Sequence, residues 1–407
     1  MKILYYHQYF KTRQGSGGTR SYEFAKRLIE KGHEVTIVCA RRRFDDLSIP
    51  DTNSIRKYRK GIIEGIKVIQ IDLFVRNKDS LVKRAFKFLK FAIVSIKFVF
   101  TEKYDIIFAT STPLTIGIPG LLAKFFISQK RFVFEVRDLW PELPRAMGEI
   151  KNPIIFRVLK WLEKRIYKSA DALIGLSPGM VDGIAKNNIS YNKITLIPNG
   201  CDLDLFMTDN QFEKNIIQGC KKTDFIAIYT GTHGKANGLS FVLKVAETLK
   251  RLNIHQIKLV LIGDGAEKEC LIKKAKELQL NNCIFLNRTS KIEIAKYLSV
   301  ADIGMMILAD IPAFAYGTSP NKFFDYIASG LPVLVNHFGW VADLVIENEC
   351  GYAYRNDQYL QYAEKLICLN NNKSLCERLS LNARKLAEKE FDRNILSDKF
   401  ISFLTNS

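Results

Sequence analysis

The sequence predicts an α/β protein of two Rossmann-like domains that face each other across a cleft. A chain of 407 residues is long enough for two or three domains. Short apolar runs alternate with helical patterns along its whole length, which implies parallel sheets with helices on both faces. The alternation breaks at the polar, aperiodic stretch Asn199–Asp224 and then starts again.

Each element follows from its local pattern. In the first series, strands buried on both faces are expected at Lys2–Tyr6, Glu34–Cys39, Lys67–Leu73, Ile106–Thr110, Arg131–Val136, Ala172–Leu176 and Ile194–Ile197. Helical periodicity lies between them at Arg20–Lys31, Ser80–Phe100, Gly117–Ser128, Pro153–Ser169 and Pro178–Lys186. The second series has strands at Phe225–Tyr229, Lys258–Ile262, Ile284–Leu286, Ile303–Ile307, Val333–Asn336 and Gly351–Tyr354. Its helices are expected at Leu239–Leu252, Glu267–Leu278, Ile292–Ser299, Asn321–Ser329, Val341–Glu347, Gln358–Leu369 and Ser374–Glu388. Domains are expected at 1–198 and 199–388. In such sheets ligands bind beyond the carboxyl ends of the strands, so function should lie in strand-to-helix loops.

Charge narrows the partners. Lys and Arg number 61 against 42 Asp and Glu, a formal charge of +19. This points to nucleic acid, a phosphorylated substrate or an anionic membrane. Residues 1–200 hold 36 basic and 18 acidic side chains, the remainder 25 and 24, so the first domain is cationic and the second nearly neutral. With 47% apolar and 25% charged residues, disorder, collagen and small disulfide scaffolds are excluded. The eight cysteines form no C-x-x-C pair and are expected as free thiols of a reducing cytoplasm. The apolar run at Met1–His7 is too short for a signal peptide. No stretch has the roughly 18 apolar residues of a transmembrane helix.

Six loops could carry chemistry. Gly15-Ser16-Gly17-Gly18-Thr19-Arg20 follows the first strand and opens a helix; glycines admit a ligand and the helix start favours an anion, although a tight structural turn fits equally. Arg137-Asp138 ends a buried strand, where Asp138 can orient or deprotonate a hydroxyl and Arg137 can hold phosphate, or the two can form an internal ion pair. Pro198-Asn199-Gly200-Cys201-Asp202 reads as a hinge turn. Thr230–Gly238 offers Gly231, Thr232, His233 and Lys235 to a pyrophosphate, or is a solvated loop. Gly263-Asp264-Gly265 can approach a base or sugar, or be a plain turn. In Gly317–Val333, Ser319 is a natural N-cap and Pro320 a first helical residue. Lys322 then sits in the first turn against the helix dipole, a conflict that a bound anion removes. Asp325, three residues on, could take a ribose, or simply pair with Lys322.

The ordered set resembles the family 4 glycosyltransferases of the GT-B fold, over essentially the whole chain. The resembling residues are Gly17-Gly18, Arg137-Asp138-Leu139-Trp140-Pro141-Glu142, Ile197–Asp202, Thr230–Gly234, Leu261–Gly265 and Pro320-Asn321-Lys322 with Asp325 and Gly330-Leu331-Pro332-Val333. The resemblance is closest to the bacterial surface-polysaccharide branch that includes N-acetyl-L-fucosamine transferases. It implies retaining transfer of a sugar from a UDP-sugar, without cofactor or catalytic metal, to an acceptor held by the first domain. It also implies that a final helix, within 389–407, crosses back to that domain. Where many members have two glutamates eight positions apart, this chain has Gly317 and Asp325. Where many have Arg and Lys in the fourth loop, it has Thr232 and Asn237, and Arg137 stands where some have histidine. Diphosphate charge would then fall to Lys322, His233, Lys235, the Gly231–Gly234 amides and Arg288. The remaining donor-site residues implied are Gly17, Gly18, Gly263, Asp264, Ser319, Asn321 and Asp325, with Asp138, Arg137 and Lys322 as the catalytic set.

Lys83, Lys87, Lys90 and Lys97 form one stripe of a strongly apolar helix, and Lys151–Lys168 repeats the theme. This reads as docking on the anionic inner leaflet, where a polyprenyl-diphosphate-linked saccharide is presented, or as core helices with a solvated basic face. The expected location is cytoplasmic and peripheral to the membrane, in O-antigen, capsule or related glycan synthesis. Two other classes fit the sequence less well. A UDP-sugar 2-epimerase on the same fold needs more convergent acids and histidines than His7 and His233 supply, and a nucleic-acid binder would need a module that the sequence lacks.

Overall fold

The computed structural model describes residues 1–41, 47, 49, 58–74, 81–207 and 212–405. The first sheet takes up β1 (Lys2–Tyr6), β2 (Glu34–Ala40), β3 (Tyr58–Ile63), β4 (Ile66–Ile71), β5 (Ile106–Thr110), β6 (Arg131–Val136), β7 (Ala172–Gly175) and β8 (Ile194–Leu196). Their order is β3-β4-β2-β1-β5-β6-β7-β8. All pairs are parallel except β3 with β4. Helices α1 (Arg20–Glu30), α2 (Leu81–Thr101), α3 (Ile118–Phe126), α4 (Glu142–Ala146), α5 (Pro153–Ser169) and α6 (Pro178–Ala185) accompany it.

The second sheet has β9 (Phe225–Thr230), β10 (Ile257–Ile262), β11 (Cys283–Leu286), β12 (Ile303–Met306), β13 (Val333–Val335) and β14 (Gly351–Ala353), in the order β11-β10-β9-β12-β13-β14. With it come α7 (Ser240–Arg251), α8 (Lys268–Glu277), α9 (Lys291–Ser299), α10 (Phe314–Gly317), α11 (Asn321–Ala328), α12 (Trp340–Glu347), α13 (Tyr359–Asn371) and α14 (Lys373–Glu390). This is the predicted pair of Rossmann-like units. Strand order reverses beside β1 in one sheet and beside β9 in the other, so the loops after β1, β9 and β12 open the crevices in which such folds bind ligands.

The last helix, α15 (Arg393–Thr405), returns to the first unit. Phe400 stacks on Phe24 of α1 with ring centroids 4.3 Å apart, and its neighbours Leu396, Ile401 and Leu404 join the first core. Each fully buried side chain of this kind contributes about 1.5–3 kcal/mol.

Three features differ from the sequence expectation. Strand β3 is an added edge: both its faces are half exposed, so it lacks an apolar run. It is joined to β4 by Glu64 (φ 47°) and Gly65 (φ 83°), a two-residue hairpin turn in left-handed backbone. The short helices α4 and α10 occupy loops. The expected helix 80–100 begins at Leu81, Ser80 lying outside the described residues. Among the described residues, no helix is long and apolar enough to cross a membrane.

Candidate active site

The two units meet around a cleft of about 380 Å³. Its walls come from Lys11 and Ser16–Gly18 of the first unit, and from Thr230–Thr232, Ile262–Asp264, Arg288, Lys291 and Pro320–Lys322 of the second, with Asn237 and Asp325. Glycine lets these loops converge. A Cβ on Gly263 would stand 1.8 Å from the Gly231 carbonyl oxygen, and one on Gly18 would stand 2.8 Å from the Asn321 amide. The first unit's glycine loop therefore abuts the start of α11.

That helix start is open. The N-cap is Pro320, which has no side-chain acceptor to offer the first-turn amides. Ser319, expected as the cap, is used elsewhere: the Asn199 backbone N–H donates to its Oγ at 3.1 Å, and Asn199 Nδ2 donates to its carbonyl at 2.6 Å. The crossover segment has claimed the hydroxyl, so the amides of α11 and its positive dipole end are left to the cleft.

Lys322 lies one residue into the helix. Its Nζ donates to Tyr229 Oη at 3.0 Å and to Asn237 Oδ1 at 2.9 Å, and stands 4.2 Å over the Tyr229 ring. Asn237 thus positions a lysine that belongs to α11. Burial pulls Lys322 down to about 7. Neither Lys322 nor Arg288 forms an ion pair among the described residues; Arg288 Nε instead donates to Ser16 Oγ across the cleft.

Asp325 also lines the cleft, 3.3 Å from Lys291 Nζ. Burial raises its carboxyl and nearby Asp202 adds to that, while Lys291 opposes them. The sequence alternative of a Lys322–Asp325 pair is not what forms.

Five predicted residues lie outside the cleft lining: Ser319, His233, Lys235, Arg137 and Asp138. His233 is fully buried beneath the glycine loops, and neither ring nitrogen has a hydrogen-bond partner among the described residues. Burial, with Lys268 nearby, pulls it to about 4, so it is neutral. Its backbone bonds to Asp264 and Glu267 fix the Gly263 turn: the imidazole is packing, and the wall above it is backbone. Lys235 is exposed at the start of a 3-10 turn.

Arg137 and Asp138 sit at the carboxyl end of β6. Thr112 Oγ1 donates to Asp138 Oδ2 at 2.7 Å, and burial raises the Asp138 carboxyl. Arg137 Nη1 lies 3.3 Å from His7 Nε2, and its backbone N–H donates to Ser111 Oγ at 2.9 Å. These residues converge from the ends of β1, β5 and β6, where a hydroxyl substrate of the first unit would lie.

An ionic frame that the local sequence pattern does not reveal lies behind both sites. Arg20 and Glu135, each wholly buried, pair at 2.8 Å. Arg20 also donates to the carbonyls of Ile197 and Pro198, and Thr110 Oγ1 donates to Glu135 at 2.7 Å. The frame thus ties the helix after the glycine loop to β6 and to the crossover. Its one sequence signal was a carboxylate inside the apolar run Phe132–Val136.

A second surface stands out on the first unit. Alongside exposed Lys83, Lys90 and Lys97, α2 also exposes Phe86, Leu89, Ile93 and Phe100. The adjoining α3 exposes Phe125 and Phe126, and α5 exposes Ile154, Ile155, Val158 and Trp161 beside Arg157, Lys164, Arg165 and Lys168. Lys160, part of the expected basic theme, is instead paired with Glu142 and Glu163.

Comparison with known proteins agrees with this architecture. A model of glycosyltransferase family 4 matches residues 17–205, and a model of glycosyl transferases group 1 matches residues 210–386. The capsular polysaccharide biosynthesis glycosyltransferase CapM of Staphylococcus aureus is 22% identical over 318 residues, 76% of this chain and 79% of that protein. The structure of sucrose-phosphate synthase from Thermosynechococcus elongatus superposes with a TM-score of 0.76 at 16% identity, covering 98% of this chain and 97% of that one. HepE of Anabaena, solved in complex with UDP-glucose, gives a TM-score of 0.70 at 17% identity, with 100% of each chain covered.

Proposed function

Because the chain belongs to the family 4, group 1 glycosyltransferases of the GT-B fold, we propose that it transfers a sugar, with retention, from a UDP-sugar to a lipid-linked saccharide in surface-glycan synthesis. The observation that carries this is the open start of α11, with Lys322 behind it lacking a carboxylate partner among the described residues. A diphosphate supplies both missing interactions. UDP bound to the related-fold protein HepE, and the capsule role of CapM, support the choice of donor and pathway class. An N-acetylated amino or deoxy sugar is the donor moiety we favour.

In this scheme residues 199–388 hold the donor, residues 1–198 hold the acceptor, and 389–407 join them. The leaving UDP gains negative charge as the glycosidic bond breaks. The α11 amides, Lys322 and Arg288 are placed to stabilise that charge. Asp138 holds the acceptor hydroxyl and takes its proton, and Arg137 faces the acceptor's diphosphate. Asp325 accepts from the ribose. Closure of the glycine loops on α11 excludes water that would hydrolyse the donor.

The apolar face of α2, α3 and α5, flanked by lysine and arginine, suits the interface of an anionic bilayer, where aromatic and aliphatic side chains enter the lipid and cations meet headgroups. It would hold the acceptor side of the cleft near a polyprenyl-diphosphate-linked saccharide. The test is UDP release from a panel of UDP-sugars with and without such an acceptor. Acceptor-dependent release supports transfer. Epimerisation without release, or no reaction with any UDP-sugar, contradicts it.

A further inference from the structure

The crossover ribbon is pinned on both sides of Asn199 by two buried arginines. Arg20 of α1 donates to the carbonyls of Ile197 and Pro198. Arg393, the first residue of α15, donates from Nη2 to the Gly200 carbonyl at 2.6 Å and from Nε to Asp202 at 2.8 Å. Each guanidinium is also paired with a buried carboxylate, Arg20 with Glu135 and Arg393 with Asp202. Meeting the carbonyls on either side of Asn199 in this way leaves the ribbon little freedom. Asn199 itself is 2% exposed and grips Ser319 twice, from its backbone N–H to Oγ and from Nδ2 to the carbonyl.

The effect of that grip shows in the backbone of Pro320. A Ser-Pro pair ahead of a helix favours serine as the N-cap and proline as the first helical residue, with helical ψ at the proline. Pro320 is extended instead, with φ −75° and ψ 121°, and α11 starts one residue later, at Asn321. A serine N-cap at 319 would accept from the N–H of Asn321 or Lys322. With Pro320 as the cap, neither amide has a side-chain acceptor from it. We propose that Asn199 is a positioning residue for the donor: by holding Ser319 on the crossover it keeps α11 starting late, so the Asn321 and Lys322 amides stay free for a diphosphate oxygen. This rests on reading the cleft as a UDP-sugar site. Asn199 lies outside the cleft lining, so it acts through Ser319 alone. Internal capping and a bound phosphate compete for the same two amides, so losing Asn199 should cost UDP about what a serine N-cap is worth, roughly fivefold in Kd.

The test uses the full chain with UDP as the probe. Calorimetry reads affinity, and amide hydrogen exchange without nucleotide reads the start of α11. Asn199→Ala is expected to bind UDP roughly fivefold more weakly and to exchange more slowly at Asn321 and Lys322, because the released Ser319 caps them. Adding Ser319→Ala to that variant should return both readings toward wild type, since alanine cannot cap. A merely structural loss gives the opposite pattern: faster exchange at α11, and a double variant that binds UDP no better than the single one. Either of those results, or wild-type UDP affinity in Asn199→Ala, overturns the proposal. Should Asn199→Ala fail to fold, Asn199→Leu keeps most of the volume, removes the donor and is judged by the same two readings. A wild type that does not bind UDP refutes the UDP-site reading itself. That outcome is distinct from tight UDP binding that Asn199→Ala leaves unchanged, which refutes the role of Asn199 alone.

Discussion

Replacing Lys322 by methionine should cost UDP binding its charge partner while keeping most of the side-chain volume. Burial holds the ammonium at about 7 against its ordinary 10.5. A diphosphate that returned it fully would gain roughly 5 kcal/mol. Water screening at a half-buried site and the lost hydration of the phosphates take back a large share. We therefore expect a net loss of about 2–3 kcal/mol in Lys322→Met, a 30- to 150-fold weaker Kd. The sign with pH follows. UDP binds the protonated lysine, so affinity should fall as pH rises above about 7 and level off once pH passes the raised value of the bound state. At pH 8 the free lysine is mostly neutral, so binding should draw in about 0.9 proton. Calorimetry in two buffers of different ionisation enthalpy measures that uptake directly. No uptake at pH 8, or equal uptake in Lys322→Met, would refute the assignment of Lys322 to the diphosphate.

Four other outcomes are expected. Arg20→Met strands Glu135 in the core and should cost about 3–5 kcal/mol, read as a lower urea midpoint; a loss under about 1 kcal/mol would mean the pair is not what holds α1 to β6. Gly263→Ala forces a methyl against the Gly231 carbonyl and should weaken UDP binding at least tenfold with little change in secondary structure by circular dichroism. Asp138→Asn should lower acceptor-dependent turnover by about 10²–10⁴-fold with UDP affinity kept. Since burial raises that carboxyl, the wild-type rate should be lost on acidification at a pH above the ordinary 3.8 of aspartate, and the variant's should not follow. Serine at Phe86, Ile93 and Phe126 together should abolish flotation with anionic vesicles, whereas 1 M salt should release the wild type only in part, because much of the attraction is apolar.

The strands were legible because parallel strands buried on both faces must be apolar throughout, as Phe225–Thr230 is. Strand β3 was not, because Arg59, Lys60 and Gly61 on a half-exposed edge carry no such run. The cleft loops were legible through their glycines and the helix starts after them. What local pattern could not supply was the use of each side chain by a distant segment. Ser319 has every mark of an N-cap, but its hydroxyl serves Asn199, 120 residues away. His233 sits in a phosphate-like loop, yet its ring faces the core. Asp202, Lys291 and Arg393 look like ordinary surface charges until three segments bring them together. On α2 the lysine spacing was visible, but whether Phe86 and Ile93 faced core or solvent depended on where α3 packed.

The most direct test of the account is a crystal structure of the protein with an intact UDP-sugar. The diphosphate should lie at the start of α11 within hydrogen-bond reach of Lys322 Nζ, with the ribose on Asp325 and the sugar directed toward Asp138. A nucleotide bound away from α11, or a diphosphate that leaves Lys322 on Tyr229 and Asn237 untouched, would contradict it.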